Sequence, residues 1–173
     1  TYLESLGYTN FWKVLNAVDY GAAQSRERVF CISILNPKKD FIFPAPIPRS
    51  IKLKDILDPK EKVPDNMYMN DRPFVFRENP TESDNGLIHL GNLEMAGNES
   101  VKRVYSPEGV CPTLTTMTGG HRQPKIWTAE DGVRKLTPRE CWKLMGFGED
   151  LFAKQIYCLG MWYNTALIAI ETN

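Results

Sequence analysis

A glutamine and two arginines alternate at the start of an apolar segment, and their spacing would bring hydrogen-bond donors together. Gln24, Arg26 and Arg28 lead into the run VFCISIL, which is typical of a β-strand. Because side chains of a strand alternate between its two faces, these three would project from one side and Glu27 from the other. Such donors suit a phosphate, a carboxylate or the edge of a base. The alternative is a solvated strand end, in which Glu27 pairs with a neighbouring charge.

Composition describes a folded protein of about one domain. The chain has 173 residues, of which 42% are hydrophobic and 24% charged, a composition typical of folded proteins. No apolar run reaches the roughly 20 residues that cross a bilayer, and residues 1–9 do not resemble a signal peptide. Because the cysteines form no CxxC pair, the sequence favours buried thiols in a reducing cytoplasm over a zinc site or a disulfide framework. These cysteines are Cys31, Cys111, Cys141 and Cys158.

Charges of opposite sign occur in separate blocks, although the formal net charge is zero. Residues 1–54 hold eight basic and four acidic side chains, residues 55–99 hold four and ten, and residues 101–143 hold eight and four. Two basic segments around an acidic one are compatible with a basic cleft that faces a polyanion. Ordinary scatter of surface charge would give the same pattern.

Short elements separated by turns must position these side chains. The sequence predicts a helix end before Gly7, a strand at 11–15, a buried strand at 29–35 and an irregular proline segment at 43–48. Further predictions are a helical turn at 51–57, an irregular region with short strands at 58–100, strands at 103–105, 113–117 and 125–127, and a capped helix at 164–171. Both histidines, His89 and His121, are expected in loops.

The clearest local signal is a helix over residues 138–145. Thr137 is suited to cap this helix, Pro138 to occupy its first position and Glu140 to complete a capping box. Gly146 is expected to end the helix, because glycine adopts the left-handed conformation that commonly follows a last turn.

Three segments together resemble the DNA (cytosine-5) methyltransferase family. Residues 19–30 have the sequence DYGAAQSRERVF and contain a Gln-x-Arg-x-Arg motif. Residues 134–147, RKLTPRECWKLMGF, are similar to the ninth motif of the family. Between them, RVYS at 103–106 and CPTLTT at 111–116 resemble the target-recognition region, including its Thr-Leu pair. The resemblance covers essentially the whole chain and keeps the order and spacing of the motifs.

The resemblance implies an α/β fold, in which the C-terminal part of a Rossmann-like domain is joined to a small, mostly β and irregular target-recognition domain. Residues 1–42 and 128–173 are expected in the catalytic domain and residues 43–127 in the target-recognition domain. The implied reaction transfers a methyl group from S-adenosyl-L-methionine to carbon 5 of a cytosine in double-stranded DNA. The cytosine is flipped out, because its reacting atoms are inaccessible inside the base stack.

The resemblance also assigns roles to single residues. Arg28 is expected to hydrogen-bond the ring carbonyl of the flipped cytosine, and Arg26 to lie beside it near the nucleophile and the phosphate. A cation at that carbonyl would stabilise negative charge that develops as a thiolate attacks the ring. No metal ligands are expected. DNA contacts are expected from Gln24, Ser100, Thr113, Leu114, Thr115 and Arg122, and contacts with the amino-acid end of the cofactor from Asn164 and Thr165.

The sequence departs from the family in two respects. No cysteine stands in the Pro-Cys-Gln context of the family nucleophile, and the Glu-Asn-Val and Phe-x-Gly-x-Gly motifs have no counterpart. In the last motif, Tyr163 stands where the family has glycine. The chain is therefore expected to be the C-terminal half of a methyltransferase, inactive alone, with the N-terminal half of the same protein as its partner. Apolar surface is expected to be exposed on the strand at 29–35 and on residues 167–170.

Two alternatives to a truncated enzyme remain at this stage. In the first, the chain is one subunit of a split methyltransferase. In the second, it is a non-catalytic DNA-binding remnant. A transfer-RNA methyltransferase of the same superfamily is a weaker alternative, because the recognition region resembles those of bacterial DNA enzymes.

Overall fold

A two-stranded antiparallel ribbon forms the first part of the fold. The computed structural model describes residues 2–115 and 121–146. After helix α1 (Tyr2–Ser5), strand β1 (Tyr8–Asn16) pairs along its whole length with strand β2 (Glu27–Leu35). Gly7 connects α1 to β1 with a φ of 86°, which glycine adopts without strain. The predicted helix end, glycine stop and two strands are confirmed.

One face of this ribbon is apolar and exposed. Trp12 lies opposite Cys31 and Val14 lies opposite Val29, so these side chains share a face. The exposed fraction is 70% for Trp12 and 67% for Val29. The strand at 29–35 is thus present but not buried, since the described residues leave this face open. The expectation of exposed apolar surface is confirmed for the strand at 29–35, whereas residues 167–170 lie outside the described residues.

The cysteines differ in exposure. Cys111 and Cys141 are buried as expected, whereas Cys31 is exposed on the open face of the ribbon, so the expectation of buried thiols is wrong for Cys31. Cys158 lies outside the described residues. Burial raises the pKa of the Cys111 thiol well above its ordinary value, with smaller contributions from Cys141 and Glu140. Burial, together with the charge of Glu140, raises the pKa of Cys141 to about 12.

These differences predict a simple pattern of thiol reactivity. In a Cys158→Ser variant at neutral pH, we expect DTNB to modify Cys31 rapidly and to modify Cys111 and Cys141 only after unfolding, because the accessible thiolate is the reactive form. Release of the coloured thiol product, with and without denaturant, measures this pattern. A variant that also carries Cys31→Ser serves as control, and rapid modification of that protein would contradict the buried positions of the other two thiols.

The segment between the ribbon and the next strand is irregular. Residues 43–48 have no regular structure, as predicted, and three 3-10 turns follow at Leu53–Asp55, Lys60–Lys62 and Asp65–Met67. The first of these turns confirms the helical turn predicted at 51–57. Leu53 is fully buried, and it anchors this segment in the core.

A five-stranded sheet forms the second part of the fold. Its strands are β3 (Phe74–Phe76), β4 (His89–Leu93), β5 (Arg103–Tyr105), β6 (Lys125–Thr128) and β7 (Gly132–Lys135), adjacent in that order. Neighbouring strands are antiparallel except β5 and β6, which are parallel. Helix α2 (Glu99–Lys102) directly precedes β5. The sheet continues through β7 to residue 135, beyond the domain boundary that the sequence analysis placed at 127. That boundary stays a prediction.

The strands predicted at 103–105 and 125–127 are confirmed, but two other predictions need correction. Residues 113–115 form no strand, although they are rich in β-branched residues; residues 116 and 117 lie outside the described residues. The Thr113 hydroxyl instead donates a hydrogen bond to the carbonyl of Ser25, and such side-chain bonds compete with strand pairing. His89 lies in β4 rather than in a loop, whereas His121 lies in a turn, as expected.

Helix α3 (Pro138–Leu144) follows the sheet and has the predicted capping box. The amide of Glu140 donates to the hydroxyl of Thr137 (3.1 Å), and the amide of Thr137 donates to the carboxylate of Glu140 (2.7 Å). Gly146 follows with a φ of 83° and ends the helix as predicted. The helix predicted at 164–171 lies outside the described residues.

The larger hydrophobic core joins all parts of the chain that concern the candidate site. It includes residues from the segment before β2, the irregular segment, the segment after β5, strand β6, the link between β7 and α3, and helix α3. Packing therefore fixes these segments relative to one another. The members are Ala23, Leu53, Cys111, Leu114, Ile126, Leu136, Cys141 and Leu144.

Candidate functional site

A short ladder of hydrogen bonds joins the segment of the Gln-x-Arg-x-Arg motif (residues 19–30, the arginine motif) to the start of the predicted recognition segment at residue 111. The amide of Cys111 donates to the carbonyl of Ala23 (2.8 Å), and the amide of Ser25 donates to the carbonyl of Cys111 (2.8 Å). The Thr113 hydroxyl donates to the carbonyl of Ser25 at 2.7 Å, across 88 positions of sequence. The two motifs that the sequence analysis selected are thus in direct contact.

Asn16 determines how the chain enters the arginine motif. Its side-chain oxygen accepts hydrogen bonds from the amides of Arg26 (2.8 Å) and Val18 (3.3 Å), and its amide nitrogen donates to the hydroxyl of Ser25 (3.4 Å). Asn16 is buried, and these contacts close the turn between β1 and β2. The sequence analysis did not select Asn16. The available signal was an asparagine at a typical capping position, since a 3-10 turn (Ala17–Tyr20) follows it.

Arg26 and Arg28 line the same cavity, whereas Gln24 does not. This cavity, which we call the arginine cavity, has a volume of about 310 Å³, and Arg26 is half-buried in it while Arg28 is exposed. Gln24 precedes β2, and only 1% of it is exposed. Its amide nitrogen has no hydrogen-bond partner among the described residues. Of the three donors predicted to converge, only the two arginines therefore share a cavity. The rest of the lining is Leu15, Ala17, Tyr20, Ala22, Phe30 and Pro44.

A second cavity, which we call the recognition cavity, brings together four of the residues predicted to contact DNA. Its volume is about 490 Å³. Thr113 lines it and is also bonded to Ser25, next to Arg26, so the two cavities are connected through this ladder. The sequence analysis did not select Arg103 and Lys125, which also line it. The four predicted residues are Ser100, Thr113, Thr115 and Arg122.

Leu114, another predicted site residue, lies outside both cavities. Leu114 is 8% exposed and belongs to the larger hydrophobic core, where its side chain packs between neighbours. Asn164 and Thr165 lie outside the described residues, so their assignment to the cofactor stays a prediction.

Positive charge is concentrated around the recognition cavity. Burial lowers the pKa of His121, and so do the positive charges of Arg72, Lys135 and Lys125. The basic side chains that line the cavity are Arg103, Arg122 and Lys125. Such a concentration of positive charge attracts polyanions.

A buried ion pair fixes α3 to the rest of the chain. Glu140 is fully buried, and its carboxylate accepts two hydrogen bonds from the guanidinium of Arg134, at 2.7 and 2.9 Å. It also accepts hydrogen bonds from the amides of Thr137 (2.7 Å) and Asp58 (2.8 Å). Asp58 is itself bonded to the ammonium of Lys143 at 2.7 Å. The network connects α3 with β7 and with the irregular segment that follows the ribbon.

Residues 2–115 and 121–146 contain neither a candidate metal site nor a candidate membrane span. No group of three or more histidines, cysteines, aspartates and glutamates in these ranges is arranged to hold a metal ion. No helix of the described part is long and apolar enough to cross a membrane.

Comparison with solved structures identifies the fold. The chain is similar to the S. pombe Dnmt2 methyltransferase, with a TM-score of 0.56 and 17% sequence identity. The match covers 86% of this chain and 47% of that protein. A mixed sheet with few helices agrees with this likeness. The protein has the α/β methyltransferase fold that the sequence predicted.

Comparison with protein families identifies the family. The model of the C-5 cytosine-specific DNA methylase family matches residues 1–157, and the chain belongs to this family. Type II methyltransferase M2.ScrFI of Lactococcus lactis subsp. cremoris is 36% identical over 156 residues, which are 88% of this chain and 39% of that protein. Type II methyltransferase M.Bsp6I of Bacillus sp. (strain RFL6) is 35% identical over 165 residues, 89% of this chain and 49% of that protein. The chain thus spans less than half the length of these relatives.

Proposed function

We propose that the chain is the DNA-recognition and cytosine-contacting part of a methyltransferase that acts on carbon 5 of a flipped cytosine in double-stranded DNA. The observation that carries this proposal is the hydrogen bond from Thr113 to Ser25, which connects the recognition cavity to the arginine cavity. Because the link is short, a duplex bound in the first cavity would have a fixed position relative to the arginines in the second. The type II methyltransferases among its relatives support DNA as the substrate.

The arginine cavity would hold the flipped base. Arg28 would donate hydrogen bonds to the ring carbonyl, and Arg26 would bind beside it near the phosphate. The apolar part of the lining, including Phe30 and Leu15, offers a surface against which a planar base can pack. Once a base fills the cavity and excludes water, a guanidinium beside the ring carbonyl would stabilise developing negative charge more strongly than water does.

The cofactor, S-adenosyl-L-methionine, would supply the methyl group, but the described residues do not fit it. A cavity of about 640 Å³ beside α3 contains one carboxylate, Asp55, and one ammonium, Lys143. Both groups are already engaged, since Asp55 accepts from the amide of Lys52 (2.8 Å) and Lys143 donates to Asp58 (2.7 Å). Asp55 and Lys143 are therefore not expected to bind the cofactor.

Alone, the chain is expected to bind duplex DNA weakly and to catalyse no methyl transfer. The described thiols support this expectation. Cys111 and Cys141 are buried with raised pKa values. Cys31 lies an odd number of positions from Arg28 in β2, so its side chain is on the opposite face of the ribbon. The nucleophile would come from the N-terminal half of the protein.

Transfer of labelled methyl groups to a duplex tests this division of roles. We expect no transfer with the chain alone and transfer when the N-terminal half is added. Turnover by the chain alone would refute the proposal. Failure of the mixture, with both parts folded, would favour the alternative of a non-catalytic DNA-binding remnant.

Exchange of residues 98–124 for the corresponding segment of a relative with another target sequence is expected to transfer the sequence preference. These residues form most of the recognition cavity, and each mismatched base pair typically costs about 1–3 kcal/mol of specific binding. Sequencing of methylated sites after reaction with the reconstituted enzyme measures the preference. Exchange of residues 60–95 is the matched control, and a preference that followed this control segment would locate the recognition surface there.

A further inference from the structure

A lysine is buried in the wall of the recognition cavity and is surrounded by carbonyl groups. Lys125 begins β6, and only 2% of it is exposed. Its ammonium donates hydrogen bonds to the carbonyl oxygens of Val101 (2.7 Å), His121 (2.7 Å) and Gln123 (3.1 Å). An ammonium has three donor hydrogens, so these bonds use all of them.

The three carbonyl groups belong to two different walls of the cavity. Val101 lies in α2, directly after Ser100, whereas His121 and Gln123 flank Arg122 in the segment before β6. His121 has a φ of 59°, a left-handed conformation that is uncommon for residues with a side chain. The turn that carries Arg122 therefore needs support from outside itself, and the ammonium of Lys125 provides it.

We propose that Lys125 is a positioning residue, whose ammonium holds α2 and the Arg122 turn together so that Ser100 and Arg122 contact the same duplex. This inference rests on the proposed function in DNA recognition. Lys125 acts through the two walls rather than by contact with a base, because its three hydrogens are already used.

The charged surroundings of Lys125 predict that duplex affinity depends on pH. Burial lowers the pKa of Lys125 to about 8, and the positive charges of Lys135 and Arg72 contribute. Arg72 lies in the loop before β3, and Lys135 lies in β7. Among the described residues, the other charged or titratable groups around the cavity are His121 and Arg122 in the turn, Arg103 and Tyr105 in β5, and the ion pair of Glu99 with Lys102 in α2.

A phosphate bound in this cavity would favour the charged form of Lys125, so the duplex is expected to bind together with a proton. The pKa of Lys125 is lower in the free chain than in the complex, because the phosphate adds a negative charge nearby. Full affinity is therefore present below the free-state pKa of about 8 and declines as the pH rises above it.

Fluorescence anisotropy of a labelled duplex with the 173-residue chain tests the proposal on both sides of this pKa. For the wild-type chain, we expect affinity to decline above the pKa. Lys125→Arg should keep the affinity and lose this decline, because a guanidinium stays charged. Lys125→Met should bind roughly tenfold more weakly than the wild type below this pKa, the loss expected for about one charged hydrogen bond, and should show no decline above it. Lys135→Met, the control, removes an equal charge nearby and should keep the decline, shifted to higher pH because Lys135 lowers the pKa of Lys125.

Amide hydrogen exchange distinguishes failure of this inference from failure of the proposed function. Lys125→Met should accelerate exchange at residues 98–102 and 121–124 and leave the ribbon of β1 and β2 unchanged. If the wild-type chain binds the duplex, but Lys125→Met binds equally well with unchanged exchange, the inference is overturned and the function stands. If Lys125→Met does not fold, a decline for Lys125→Arg equal to that of the wild type overturns the inference. A wild-type chain that binds no duplex overturns the proposed function, and this inference with it.

Discussion

Arg28→Ala is expected to lower the single-turnover rate of methyl transfer by the reconstituted enzyme about 10²- to 10³-fold, the usual effect of removing one donor to a developing oxyanion. Duplex affinity should change little. The reason is that the ring carbonyl gains negative charge only as the nucleophile adds, so the guanidinium of Arg28 stabilises the transition state more than the bound substrate. Rapid-quench measurements with excess enzyme give the rate, and anisotropy of the same duplex gives the affinity.

Two further variants make this prediction specific to the site. Arg28→Lys keeps the charge but loses the planar donor pair, and we expect an intermediate rate. Arg49→Ala removes an arginine that is bound to Asp19 and lies outside the lining of the arginine cavity. Its rate should equal that of the wild type. A result in which Arg28→Ala weakens duplex binding and keeps the single-turnover rate would assign Arg28 to the DNA backbone rather than to the flipped base.

Glu140→Ala is expected to lower the free energy of unfolding by about 3–5 kcal/mol, the usual cost of removing one partner from a buried ion pair. The side chain of Arg134 is 2% exposed and would be left without its carboxylate. Burial opposes the charged form of Arg134, but the hydrogen bonds and charge of Glu140 outweigh it and raise the pKa of the guanidinium. The amides of Thr137 and Asp58 would also lose their acceptor. Urea unfolding followed by circular dichroism measures the change.

A charge-matched control and a double variant separate burial from charge. Glu99→Ala breaks an exposed ion pair with Lys102, and its unfolding curve should match that of the wild type. Glu140→Leu combined with Arg134→Met removes both charges, and it should recover much of the stability lost in Glu140→Ala, because no uncompensated charge remains buried. A Glu140→Ala protein as stable as the wild type would show that the pair does not hold α3 in place.

Predictions from neighbouring residues were confirmed where the deciding contacts are local. Thr137, Pro138 and Glu140 specify the start of α3 because the cap bonds join residues three positions apart. The same holds for Gly7, which needs only its own left-handed conformation to separate α1 from β1. Predictions for Cys31 and for residues 113–115 failed because exposure and strand pairing depend on distant partners.

The candidate site divides in the same way. The sequence by itself determined the family, the position of Arg26 and Arg28 at the start of a strand, and Ser100, Thr113 and Arg122 as candidate DNA contacts. Only the tertiary structure decided that these candidates line one cavity, that Leu114 packs in the core instead, and that Lys125 joins two walls. The physical reason is that bonds such as that from Thr113 to Ser25 connect residues 88 positions apart, and only the folded chain brings such partners within hydrogen-bond distance.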